Sequence, residues 1–127
     1  MSVATRRIGN EPIIVVTFTD PFNDEDAELG NQETARLIAE VNRPVYRIED
    51  LTTLTIDFST IVRGVGTVAQ PNAAGTTRDP NARFIYVGQG EMVKMIVNSL
   101  AQEQYGGNKY PAFATLDEAI SYARKTG

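Results

Sequence analysis

The residues Pro12 to Thr19, PIIVVTFT, constrain this chain more than any other segment. The run is short, β-branched and almost wholly apolar, without the polar alternation of a strand that has one wet face. It therefore predicts a central strand covered on both faces. Asp20-Pro21 ends it, and Asp24, Glu25, Asp26 and Glu28 follow, where the first turn of a helix favours negative charge. Ala27, Thr34, Leu37, Ile38 and Val41 recur at steps of three and four, giving that helix one apolar face ending near Asn42. Gly30 falls in its middle and weakens it by about 1 kcal/mol relative to alanine.

The same alternation continues along the chain. Pro44 to Glu49 predicts a second strand, and Asp50-Leu51-Thr52-Thr53 a turn away from it. Asp57 or Ser59 caps a helix carrying Phe58, Ile61, Val62, Val65 and Val68. Pro71 to Ala82 has two prolines and no apolar period, and predicts a mobile surface loop. Arg83 to Val87 predicts a third strand, Gly88-Gln89-Gly90 a turn, and Met92, Met95, Ile96, Ser99 and Leu100 one helix face. A brief strand at Pro111 to Phe113 leads into Thr115-Leu116-Asp117-Glu118, a capping-box pattern opening a helix that buries Leu116, Ala119, Ile120 and Ala123. Ser2 to Ile8 adds an edge strand antiparallel to the first. Strands separated by helices imply crossovers. The expected fold is α/β, a two-layer mixed but mainly parallel sheet of four to five strands with about four helices, one domain over residues 1–127.

Composition excludes much of the usual side-chain catalysis. The chain has no cysteine and no histidine, which removes thiolate nucleophiles, disulfides, the usual structural zinc sites and the commonest general base near neutral pH. The expectation is a cytoplasmic protein without a cofactor: Met1 to Asn10 lacks an apolar signal core, and no run approaches the roughly 18 apolar residues of a membrane span. A net charge of −4, with 12 basic residues spread along the chain and never more than two together, argues against nucleic acid as a partner.

Four groups of residues could carry function. The acidic run from Asp20 to Glu28 fails the spacing of a calcium loop, because counting from Asp24 puts Leu29 at the glycine position and Ala35 at the closing carboxylate, so no metal is expected. Gly88, Gln89 and Gly90 stand between a strand and a helix, where amides can receive an anion, but Val93 replaces the third glycine of a dinucleotide fingerprint. A tight turn explains them more simply. Ser59 and Thr60 could act as nucleophiles only if Asp57 or a lysine activated them, and helix capping accounts for both. Tyr46, Tyr86, Tyr105, Tyr110 and Tyr122 are expected at the edge of the core, apolar body inward and hydroxyl outward.

The segment Tyr46 to Val65, YRIEDLTTLTIDFSTIVRGV, resembles the central motif of STAS domains, the SpoIIAA-like or anti-sigma-factor antagonist family. There a strand ends in Asp-Leu-Ser and a helix opens with Asp-Ser-Ser-Gly; here Asp50-Leu51-Thr52 and Asp57-Phe58-Ser59-Thr60 take those places. The order of elements is similar over the whole chain, and Tyr105-Gly106-Gly107 also looks like a turn of small stand-alone bacterial members. The resemblance implies the SpoIIAA-like fold, a regulatory protein as partner, and Ser59 as the phosphoacceptor position at a helix start. Phe58 and Thr60 depart from the family's first serine and glycine, and the interval between the aspartates is shorter by one residue.

Two functions from different classes follow. The first is a non-enzymatic protein-interaction or regulatory module with Asp57, Ser59 and Thr60 as its contact surface, with or without a working phosphoswitch. The alternative is a module binding a lipophilic or anionic metabolite at Gly88, Gln89 and Gly90. A hydrolase using carboxylates alone would need two acids converging on a cleft. A homodimer is compatible with either.

Overall fold

Val15 and Val16, side by side in the sequence, are both fully buried, and their side chains point to opposite faces of one sheet. The computed structural model describes residues 3–20, 23–54, 79–88, 91–101 and 110–126. Along the chain these form β1 (Val3–Arg7), β2 (Ile13–Phe18), α1 (Asp24–Val41), β3 (Val45–Asp50), β4 (Ala82–Val87), α2 (Glu91–Leu100), β5 (Ala112–Phe113) and α3 (Leu116–Thr126). The sheet order is β1-β2-β3-β4-β5. β1 runs antiparallel to β2, and β2 through β5 are parallel. Both edges are short or charged, as an edge exposed to other chains requires: β5 has 2 residues, and β1 carries Arg6 and Arg7.

The mainly parallel α/β sheet and the antiparallel edge strand are as expected. Register divides the side chains into two cores. Ile14, Val16 and Phe18 meet Phe84 and Tyr86 under Leu37 of α1 and Val93 and Ile96 of α2, while Ile13, Val15, Ile48, Ile85 and Val87 meet Ala119 and Ala123 of α3. The described helices thus lie on both faces, so α3 adds a layer that a two-layer arrangement does not include. Burying each of these aliphatic side chains contributes about 1.5–3 kcal/mol, and the two-sided burial of β2 is what its composition demanded.

Local chemistry sets the element ends. Asn23 accepts from the Asp26 amide at 2.9 Å and caps α1. Asn42 closes it in the left-handed conformation, φ 53°, its amide donating to Ile38 O at 2.8 Å. Thr115 Oγ1 accepts from the Glu118 amide at 3.3 Å, but the Glu118 carboxylate takes the Thr115 hydroxyl at 3.0 Å and not a backbone amide, so the box satisfies one orphan amide through side chains where two were expected. In α3, Leu116 and Ile120 are half-buried and only Ala119 and Ala123 fully so, because the small residues sit where the helix comes nearest the sheet. β4 begins at Ala82, one residue before expectation, since Ala82 pairs with Val45. Three helices are described; the one expected over Asp57 to Gln70, and the loop from Pro71 to Arg78, lie outside the described residues.

Gly30 has a reason that helix propensity hides. A Cβ there would stand 3.0 Å from Arg47 Nη2 and 3.1 Å from Val16 Cγ1. The missing side chain lets α1 settle against β2 and β3, and that contact outweighs the lost propensity.

Candidate functional site

The carboxyl ends of β2, β3 and β4 form one rim of the sheet, where α/β proteins most often place ligands and contacts. Asp50 is the last residue of β3. Its Oδ1 accepts from the Thr52 amide at 3.1 Å and the Thr52 hydroxyl at 2.7 Å, and its Oδ2 accepts from Thr17 Oγ1 of β2 at 3.3 Å. Leu51 donates its amide to Val87 O at 2.8 Å, and Leu54 closes a turn onto Leu51 O at 3.2 Å, with both leucines buried. The Asp50-Leu51-Thr52 segment is therefore a clasp that sets where the chain leaves the sheet, and the carboxylate is consumed by the clasp.

Gly88 lies on the same rim, its amide donating to Phe113 O at 3.0 Å. A Cβ on Gly88 would collide with Val93 Cγ2. The glycine is thus required by the packing of α2 over the end of β4, which is the simpler of its two readings. Gln89 and Gly90 lie outside the described residues, as do Asp57, Ser59 and Thr60 and the turn at Tyr105. The described part of the rim brings Thr17, Asp50, Thr52 and Gly88 together; of the residues singled out beforehand as sites, it contains Gly88. Among the described residues no three acidic side chains converge as a metal would need.

Two polar constellations escaped the sequence reading. The first is internal. Arg47 and Glu49 point from β3 toward α1 and are buried, the Arg47 Nε donating to Glu49 Oε1. Arg47 Nη1 donates to the buried Asn31 at 2.7 Å, and the guanidinium lies 4.6 Å from the Phe84 ring centre. Burial raises the Glu49 carboxyl above the usual carboxylate range, with the Arg47 charge pulling partly the other way. Burial, and then the Glu49 charge, hold the Tyr86 phenol well above its ordinary value. Its hydroxyl has no hydrogen-bond partner among the described residues. Tyr86 is 2% exposed and belongs to the core, not to its edge as expected, because α2 covers the end of β4. The parity of Val45, Arg47 and Glu49 was the available signal: equal spacing puts the charges on the face of a buried valine.

The second lies at the amino ends of the strands, the rim opposite Asp50. Glu11, Tyr46, Arg43, Arg83 and Arg124 line a cleft of about 390 Å³ there. Arg124 meets Glu11 through Nε and Nη2 at 3.0 Å, which lowers the Glu11 carboxyl below its ordinary range. Arg83 lies over Tyr46, 5.6 Å from the ring centre, and donates to its hydroxyl at 3.3 Å.

This arrangement, a mainly parallel sheet with one antiparallel edge and a clasped carboxyl rim, defines an α/β fold that can be compared with solved structures by shape. No protein-family model matches the sequence, and no curated protein does. The chain is similar to an uncharacterized protein of the DUF3478 family with a SpoIIAA-like fold from Shewanella loihica PV-4, at 13% identity and a TM-score of 0.59, over 94% of this chain and 90% of that one. It is also similar to an anti-sigma factor antagonist from Mycobacterium paratuberculosis, at 17% identity and a TM-score of 0.55, over 97% and 95% of the two chains. The fold is SpoIIAA-like, as the Tyr46 to Val65 resemblance implied. Among the described residues no helix is long and apolar enough to cross a membrane.

Proposed function

We propose that this chain is a non-enzymatic regulatory module, one domain working in the cytoplasm, that binds a partner protein through the carboxyl rim of its sheet. The observation that supports the reading is the near full-length likeness to an anti-sigma factor antagonist. Asp57, Ser59 and Thr60 are the proposed contact residues, following the Asp50-Leu51-Thr52 clasp in the sequence. Phosphate on Ser59 would add about −1.5 to −2 charges to the proposed contact residues and would repel an acidic partner. Gly88 gives no comparable support to metabolite binding at Gly88, Gln89 and Gly90, since packing against Val93 already requires the glycine.

The test is affinity purification of the tagged full chain from its own cells, with intact-mass measurement. The expected result is a stoichiometric regulatory partner whose binding Ser59→Glu weakens and Ser59→Ala keeps. Recovery of the chain alone, unmodified, from growing and stressed cells would overturn the reading.

A further inference from the structure

The basic residues that look scattered along the sequence gather at one end of the fold. Arg43 comes from the turn between α1 and β3, Arg83 from β4, and Arg124 from the last turn of α3, yet all three line the cleft at the amino ends of the strands. The opposite rim receives the acidic first turns: Glu25 and Asp26 open α1, and Asp117 and Glu118 open α3. Parallel strands force this separation, because each helix starts at the carboxyl rim and ends at the amino rim. A chain of net charge −4 thereby acquires a positive end that draws anions.

The cleft is organised beyond a loose group of cations. Arg83 has no carboxylate partner among the described residues; its plane is held over Tyr46 and one of its N–H groups is spent on the Tyr46 hydroxyl. That hydroxyl lies 2.8 Å from Thr126 Oγ1, so α3 fixes the tyrosine and the tyrosine fixes the guanidinium. Arg43 is exposed and has no partner among the described residues. Glu11 is the one carboxylate among the lining residues and is taken up by Arg124. Three guanidiniums against one carboxylate leave two positive charges, beside the apolar Pro12, Ile13, Pro44 and Ala123. A pre-oriented arginine fork, a second free arginine and a neighbouring apolar wall suit a doubly charged oxyanion carried on a small apolar body. At about 390 Å³ the space is within the range of small-molecule sites.

We propose that this cleft binds a phosphate monoester, its phosphate held by Arg83 and Arg43 with Arg124 beside them, and its organic part on the Pro12 and Pro44 side. The site is separate from the carboxyl rim, so its test and that of the regulatory reading succeed or fail independently. The source of the phosphate is a soluble metabolite or a lipid headgroup, and the experiment separates the two.

The experiment is an amide NMR titration of the full chain with phenyl phosphate, with phenol as the uncharged control, and a parallel sedimentation assay on phosphatidylcholine vesicles with and without phosphatidic acid. Phenyl phosphate is expected to shift saturably the resonances around Arg43, Tyr46, Arg83 and Arg124, and phenol is not. Losing a charge-assisted contact in Arg83→Gln or Arg43→Gln should weaken binding about tenfold. Arg6→Gln, on the far edge of the sheet, should change nothing. Because Arg83 packs on Tyr46, Arg43→Gln serves as the variant without a structural role, and circular dichroism checks the fold of each. Arginine-dependent binding to phosphatidic acid vesicles alone assigns the phosphate to a lipid. No saturable binding to either probe, or binding indifferent to both substitutions, overturns the proposal.

Discussion

Arg47 and Glu49, two residues apart on β3, form an ion pair inside the protein, with side-chain exposures of 0% and 5%. Taking both charges out of water costs several kcal/mol per ion, and the pair recovers part of this because Asn31 also accepts from Arg47 and the guanidinium rests on Phe84. Removing one partner leaves a buried charge without its counter-ion. Arg47→Met and Glu49→Leu should each destabilise by about 3–5 kcal/mol, whereas the double variant, apolar throughout, should lie close to the wild type. Urea denaturation of the four proteins gives the coupling energy directly. Additive losses would show that the two side chains do not depend on each other.

Glu49 also gives stability a pH dependence of unusual sign. Burial raises its folded-state pKa above the unfolded value, so its contribution is fully present below the ordinary glutamate range and is lost as pH rises through the raised value. Glu11 behaves oppositely. Its hydrogen bond to Arg124 lowers its pKa, and the associated stability, small for an exposed pair, is lost as pH falls through the lowered value. In unfolding free energy measured against pH, the difference between the wild type and Glu49→Gln should therefore fall as pH rises above about 4.3, the ordinary glutamate value. A difference that does not change with pH would show that Glu49 titrates alike in the folded and unfolded chains.

Tyr86→Phe should be neutral or stabilising by up to about 1 kcal/mol. The hydroxyl is buried without a hydrogen-bond partner among the described residues, so the substitution removes a desolvated polar group and keeps the ring contacts with Phe84 and Tyr110. Thermal unfolding decides it. A loss of 2 kcal/mol or so would mean that the hydroxyl has a partner in the folded protein.

Gly88→Ala should cost about 1–3 kcal/mol, because the added methyl meets Val93 Cγ2 and the α2 start must shift. Val93→Ala, destabilising by itself through lost burial, should rescue Gly88→Ala in the double variant. Failure of that rescue would point to a backbone requirement at Gly88 in place of the packing one.

Thr115→Ala should lose about 1 kcal/mol through the Glu118 amide it leaves uncapped at the start of α3. Thr115→Ser, which retains the acceptor, should hold nearly all of it. Equal melting curves for the alanine and wild-type proteins would show that water replaces the cap without loss.

Sequence alone was enough where the cause is local. Eight adjacent residues, Pro12 to Thr19, already require a strand hidden on both faces; Asn42 can take the left-handed turn that ends α1; Thr115 and Glu118 lie at capping distance whatever surrounds them. The candidate contact residues Asp57, Ser59 and Thr60 came from a resemblance confined to about twenty residues, and the shape comparison supports the fold that the resemblance implied. Tertiary structure alone decided the polar features. Arg47 and Glu49 read as ordinary polar positions of an alternating strand until α1 covers that face, and Gly30 reads as a flaw until its missing side chain makes room for Arg47. Arg43, Arg83 and Arg124 stand roughly 40 residues apart, so no local pattern joins them. They meet because helices over a parallel sheet all return to the amino ends of its strands, and that geometry belongs to the folded chain.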